Sequence, residues 1–464
     1  VLLVVIFFLW WEIAHRGVYA YTTSIYPIDD ADEWRYTACS RLVAHGYRLF
    51  DQVFSAQPPL LFVSLAGAMK VTSQTITGAR SAEIGFGLLG LVATVWLGWQ
   101  LGGRWAGAAA GVLLAVSPGF LVYAHTVEAE GPMMALSVLA LALGVAACRR
   151  DSSILALLSG ASLAGGILFK LFALEVALPL AWALAGRWAV DRRSTLRLGC
   201  FAAAGALVPL AIDFGLVSPL YQWRQVIELH NRVASVPLPN LLSPWTILGD
   251  FLTLDAGLSL LALAGLAAAV LARRYYAAGI LALWLLGAIV MLLLFRPLFP
   301  HHAAILSAPL AVSAGVGIGI ASQELRGRRL PALLVALAVV VYLGLVPRLA
   351  HADRHVLAAP AGQPDPLVAW VTVHVLPGQI VEADDVRIAD LADRLVPPPL
   401  CDPSTVRVRA GYLTASDLIT ATERYRPVVV LPTGAFNDFP AYLTWLRAHY
   451  RAVRAPGGVI AYLR

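Results

Sequence analysis

Lysine is almost missing from this chain: of its 34 basic residues only Lys70 and Lys170 are lysines. Charge is thin as a whole, 13% of 464 residues against about 25% in soluble domains. Apolar residues reach 59% and the mean hydropathy is +0.74, so a purely soluble fold is excluded. The four cysteines, Cys39, Cys148, Cys200 and Cys401, fit neither CxxC spacing nor a disulfide framework, and no cysteine-based metal or redox chemistry is expected. No phosphate-binding loop or dinucleotide fingerprint occurs at a strand-to-helix junction, which gives no reason to expect a bound nucleotide. The net charge of +6 is carried by arginines scattered through short loops, a pattern of membrane topology and not of nucleic-acid binding.

What is present is a membrane domain followed by a water-soluble one. Residues 348–464 hold 23 of the 62 charged side chains, and the first 347 hold the other 39. A crossing needs about 20 apolar residues, and eleven runs are candidates: 1–14, 83–101, 106–123, 131–147, 154–169, 171–186, 198–216, 246–271, 277–295, 303–321 and 331–347. The first, without Met or a small-residue cleavage site, reads as an anchor of a chain that begins further upstream. Arg104, Arg149, Arg150, Arg187, Arg192, Arg193, Arg197, Arg273, Arg274, Arg326, Arg328 and Arg329 fall in one set of alternate loops, against Lys170, Arg224, Arg232 and Arg296 in the short loops of the other. Positive charge marks the cytoplasmic side, so the long loop 15–82 and the tail face outward. Within that loop Trp34–Val43 and Pro58–Val71 read as interfacial helices. The tail alternates helical and strand patterns, which predicts a small α/β domain with a partly parallel sheet.

The acids are concentrated on the outer face. Asp29, Asp30, Asp32, Glu33 and Asp51 lie in the first outer loop, and Glu128 and Glu130 in the next outer turn. First-turn acids favour the helix dipole, and carboxylates beside hydrocarbon are functional candidates by default. Cations accompany them: Lys170 interrupts an apolar stretch at its outer end, and Arg296 with His301 and His302 brackets one turn. Lysine and arginine at a lipid boundary suit a phosphate, and an aspartate suits proton abstraction.

These pieces resemble the multispanning GT-C glycosyltransferases of the protein O-mannosyltransferase and lipid A aminoarabinose transferase group. The likeness rests on Ala31-Asp32-Glu33-Trp34, Gly46-Tyr47-Arg48-Leu49-Phe50-Asp51, Gln57-Pro58-Pro59-Leu60, Glu128-Ala129-Glu130-Gly131-Pro132, Gly166-Ile167-Leu168-Phe169-Lys170 and Arg296-Pro297-Leu298-Phe299-Pro300-His301-His302. The second acidic motif departs from the family in having Glu128 and Glu130 where Arg and Asp are common. The resemblance implies a mainly α, polytopic fold with a catalytic domain over 1–347 and an extracytoplasmic α/β domain over 348–464 in a bacterial inner or plasma membrane. It implies a polyprenyl-phosphate sugar donor and inverting transfer to an acceptor hydroxyl on protein, lipid or glycan. The roles that follow are Asp32 as base with Glu33 and Glu130 beside it, Lys170, Arg296, His301 and His302 on the donor phosphate, and Asp29, Asp30, Asp51 and Glu128 toward the acceptor. No cofactor is required, though Asp32, Glu130, His125 and His301 have the ligand types for a divalent cation. The tail is expected to be an accessory to catalysis. The rival readings are a lipid or sugar transporter, which would place its charges near the bilayer midplane, where only Glu175 and Asp213 stand out, a polysaccharide polymerase or ligase, and a receptor that binds through its soluble domain.

Overall fold

Prolines and acids decide where the helices of this chain start. The computed structural model describes residues 31–124, 126–236, 241–324, 329–357 and 365–464, so the run 1–14, Asp29, Asp30, His125, Arg326 and Arg328 lie outside the described residues. The chain divides into two units, one of Val1–Pro27, Glu83–Asp213 and Leu242–Ala359, the other of Ile28–Ala82, Phe214–Leu241 and Pro360–Arg464. Both helices expected in the first loop exist: α1 (Ala31–Ala44) opens with Asp32 and Glu33 in its first turn, and α2 (Pro59–Val71) has Pro59 at its first position, where the missing N–H costs nothing.

The membrane unit runs through α3 (Ile76–Gly102), α4 (Arg104–Ala115), α5 (Pro118–Tyr123), α6 (Glu130–Arg150), α7 (Ser153–Phe169), α8 (Ala177–Trp188), α9 (Arg192–Leu216), α10 (Pro244–Leu254), α11 (Ala256–Leu271), α12 (Tyr275–Leu294), α13 (Ser307–Glu324) and α14 (Arg329–Leu357). Among the described residues seven helical spans are long and apolar enough to cross a bilayer, or eight if α10 and α11 count as one. The difference from eleven has local causes. The run 106–123 breaks before Pro118 into α4 and α5, and α7 stops at 17 residues where Lys170 turns extended. The run 246–271 bends by 91° at Asp255, whose carboxylate accepts from Leu258 N–H and starts a new helix.

Two spans form the centre of this unit. The window in α6 is 89% buried and that in Pro300–Glu324 is 94% buried, against 17% in α9 and 22% in α14. Glycine allows the close packing: a Cβ on Gly317 would lie 2.4 Å from Gly265 Cα, and one on Gly315 would lie 2.5 Å from Ala106 O. Without a hydrophobic drive between helices in lipid, such backbone approach is what holds them.

In the other unit the tail contributes α15 (Pro366–His374), β1 (Val381–Ala383), α16 (Val386–Leu391), α17 (Ala415–Tyr425), β2 (Val429–Leu431), α18 (Pro440–His449), β3 (Arg451–Arg454) and β4 (Ile460–Leu463). The sheet order is β1-β2-β4-β3; β1 and β2 are parallel, with Val381 opposite Val429, and the remaining pairs are antiparallel. The sheet is therefore partly parallel, as expected, with β3 as an additional basic edge strand. Gly457 and Gly458, both at positive φ, make the β3–β4 reversal. Leu418, Val430, Phe436, Tyr442, Leu446 and Tyr462 form the core.

One expectation is overturned here. Cys39 of α1 and Cys401 of the tail form a disulfide; a spacing of 362 residues gives no local signal, which is why the cysteine pattern concealed it. Two further contacts secure the same helix, since Arg41 pairs with Asp390 at 3.7 Å and with Asp393. Arg407 stacks 3.6 Å over the Phe54 ring.

At the centre of the tail Glu382 is fully buried, accepts from Tyr442 OH and lies 2.9 Å from Thr422 Oγ1. Burial pushes its carboxyl up to about 7, against the opposing hydrogen bonds from Tyr442 and Thr422. A carboxyl raised above its unfolded value, about 4.3, contributes stability that is complete below that value and lost as pH rises through the folded one. The full difference is on the order of 4 kcal/mol. Hydrogen exchange of the β1 and β2 amides, corrected for intrinsic rates, should show protection falling from pH 5 to about pH 7 and levelling off above it in the parent, and staying level throughout in Glu382→Gln; an equal fall in both would rule this carboxyl out as the cause.

Candidate active site

One end of the membrane unit is organised around Glu130. It lies in the first turn of α6, where the helix dipole favours an anion, and it is fully buried. Three nitrogen groups surround its Oε1: Lys170 Nζ in direct ion-pair contact, His301 Nε2 at 3.7 Å and His302 Nε2 at 3.9 Å. Each is delivered by an interruption in helix geometry. Lys170 adopts an extended conformation between α7 and the 3-10 turn Leu171–Val176, and both histidines sit in the 3-10 turn Pro300–Leu306 that leads into α13. The two central spans thus begin at one ionic cluster.

His302 Nδ1 accepts from Phe299 N–H at 2.9 Å, so the neutral ring carries its proton on Nε2 and presents a donor toward Glu130. Its ring is enclosed by Phe172, Phe295 and Phe299, and Lys170 Nζ lies 5.5 Å from the Phe172 ring centre. Glu130, His301 and His302 have a donor set for a metal ion. A cation at Oε1 would have to displace the Lys170 ammonium and deprotonate His302, so the cluster as built is an ion-pair network. Arg296, which precedes a cis proline bond, is exposed; its Nη1 donates to Phe295 O at 2.8 Å, and it makes no salt bridge among the described residues.

Two buried acids stand close to this turn. Glu128 is fully buried. Glu83, also fully buried, was not among the sequence candidates; a Cβ on Gly131 would lie 3.0 Å from its Oε2 and 2.3 Å from Tyr123 O. An acid at the start of an apolar run was the available signal.

In the other unit the acidic pair of α1 divides into two environments. Glu33 is buried and receives a bidentate guanidinium, Arg80 Nε at 2.7 Å and Nη2 at 2.8 Å. Asp32 keeps about a third of its side chain exposed and pairs with Arg35 at 2.8 Å, and Arg35 in turn lies 3.9 Å from Asp402. Glu33 is committed to the fold, whereas Asp32 keeps part of its carboxylate exposed. Asp51 is exposed and pairs with Arg48 within its own turn. Arg80 and Arg35, which the sequence reading passed over, are what separates the two acids.

Breaking a buried ion pair from one side leaves an uncompensated charge and costs about 3–5 kcal/mol. Arg80→Met should lower the melting temperature of the purified protein sharply, and adding Glu33→Gln should restore more than half of the loss. Strictly additive effects of the two substitutions would show that the pair is not a unit.

With this geometry in hand, the comparisons are specific about the fold. The profile of the dolichyl-phosphate-mannose-protein mannosyltransferase family matches residues 56–217. No curated protein matches the chain by sequence. Among solved structures the chain is similar to ArnT from Cupriavidus metallidurans bound to undecaprenyl phosphate, with 17% identity, a TM-score of 0.66, and 99% of this chain and 97% of that one covered. It is also similar to the oligosaccharyltransferase AglB from Archaeoglobus fulgidus in complex with an inhibitory peptide and a dolichol-phosphate (14% identity, TM-score 0.54, 99% and 74% covered). The arabinosyltransferase EmbB from Mycobacterium smegmatis follows at 14% identity and TM-score 0.51, with 91% and 41% covered. The chain has the GT-C fold of membrane glycosyltransferases, with the mannosyltransferase family's sequence pattern across residues 56–217.

Proposed function

We propose that this protein transfers a sugar from a polyprenyl-phosphate carrier to an acceptor hydroxyl at the outer face of the membrane, inverting the anomeric centre. The observation that carries the reading is the likeness over 99% of the chain to ArnT solved with undecaprenyl phosphate. The acceptor oxygen bonds to the anomeric carbon while the bond to phosphate breaks and the phosphate leaves with the electron pair. The acceptor proton passes to Asp32, the member of the acidic pair that remains accessible. The leaving phosphate needs cations and no strong acid; Arg296, exposed and without a carboxylate partner among the described residues, is the first candidate, with His301 and Lys170 assisting from the Glu130 cluster. Glu33 acts through Arg80 by fixing α1.

Two findings support an outward-facing site. The basic residues weight the opposite loops twelve to four, and the Cys39–Cys401 disulfide joins α1 to the tail, a bond that persists outside the reducing cytosol. The same bond supports an accessory role for the tail, since it holds the helix that carries the base.

In membranes supplied with a labelled polyprenyl-phosphate sugar, Asp32→Asn should lower turnover by about 10²–10⁴-fold with donor binding kept. Arg296→Ala should raise the donor concentration needed for half-maximal rate. Near-parental transfer by a folded Asp32→Asn protein would remove the base assignment, and a product that retains the donor's anomeric configuration would remove the single displacement.

A further inference from the structure

A second lipid-shaped feature lies at the opposite end of the membrane unit from the Glu130 cluster. Helices α6, α7, α8 and α9 enclose a cavity of about 300 Å³, roughly ten times the volume of a water molecule. Small side chains leave this room: Gly144 and Cys148 on α6, Gly160 on α7 and Ala202 on α9 are in its wall. The polar Ser159 in the lining is already used, its Oγ donating to Ala140 O at 2.7 Å. Such a wall offers water no partners. It opens sideways to the bilayer past Ala177, Ala181 and Ala203, which are exposed, so a hydrocarbon chain is the occupant it fits.

The cavity ends at arginine. Cys148 directly precedes Arg149 and Arg150, Leu198 directly follows Arg197, and Leu184 lies one turn before Arg187. Arg187 binds Cys148 O at 2.7 Å and Ser194 Oγ at 2.9 Å, and shares Asp151 with Arg197 at 2.6 and 2.7 Å. With Arg192 and Arg193, six arginines face two acids, Asp151 and Asp191, at this mouth. Arg150 and Arg193 form no salt bridge among the described residues. Topology alone accounts for arginines in these loops, but not for an apolar recess that ends among them.

We propose that this recess is a binding site for an anionic phospholipid, with one acyl chain in the cavity between α6 and α9 and the phosphate headgroup among Arg150, Arg193 and the Arg187–Asp151–Arg197 group. A basic pocket between spanning helices on the positively charged side is the setting in which anionic headgroups bind. The site is separate from the proposed transfer chemistry and does not depend on it.

The test is native mass spectrometry of the delipidated full chain titrated with phosphatidylglycerol and with phosphatidylcholine of the same acyl chains. Phosphatidylglycerol should bind the more tightly. Arg150→Gln with Arg193→Gln should weaken it by about 25-fold, about fivefold for each arginine, and leave phosphatidylcholine unchanged. Ala181→Trp with Ala203→Trp, at exposed positions of the lining, should weaken both lipids. Equal binding of the two lipids, or an unaltered preference in the arginine variant, would overturn the proposal. So would one-for-one displacement of phosphatidylglycerol by undecaprenyl phosphate, which would make the recess a carrier site.

Discussion

A carboxylate beside hydrocarbon must find a cation or give up its charge, and each unit of this protein is built to satisfy that condition. Glu130 is met by Lys170 and by two histidines, and Glu33 by both arms of Arg80. Neither pair is cheap to bury, because the desolvation of each ion runs to several kcal/mol. What such pairs provide is position. The central span α6 starts at Glu130, and the turn that opens into α13 carries both histidines. The Lys170 residue that ends α7 also closes the cluster. Three helix ends are therefore registered against one oxygen atom.

Much of this was visible in the sequence, because hydropathy and sidedness are local properties. Lys170 stood out as the one lysine in an apolar stretch, and the paired histidines stood out beside Arg296. The two helices of the first loop and the alternating tail are readable from their periodicity and their prolines. The features that escaped depend on distance. Nothing local links Cys39 to Cys401, or Glu33 to Arg80, and Glu83 passed as the edge of a span because its neighbours in space are 40 or more positions away in sequence. The strand Arg451–Arg454 escaped for another reason: it is a charged, exposed sheet edge, the form natural edges take to avoid further pairing, and it lacks the apolar alternation that announces a strand.

The contrast between Asp32 and Glu33 shows how adjacent, chemically similar residues are given different work. One helical position apart, they point about 100° away from each other around α1, so one is taken up by Arg80 and the other keeps contact with solvent. The Arg35 guanidinium beside Asp32 also reaches toward Asp402. The tail thereby influences the environment of the accessible acid while contributing no acid of its own to the proposed chemistry.

Two sulfurs joined to each other must share a side of the bilayer. The chain between Cys39 and Cys401 therefore crosses an even number of times, which turns a covalent bond into a parity rule. The seven full-length spans alone break it, and counting the bent pair of α10 and α11 as one crossing gives eight, which obeys it. The interrupted run of α4 and α5 and the short helix α7 are then bound together: both cross, for ten, or neither does. Arg104 and Arg149 flank two successive members of the series on the arginine-rich side, and that alternation requires the run between them to cross. Ten crossings would satisfy both the sulfurs and the arginines, so the bond between Cys39 and Cys401 ties the fate of two helices too short to announce themselves as spans to each other.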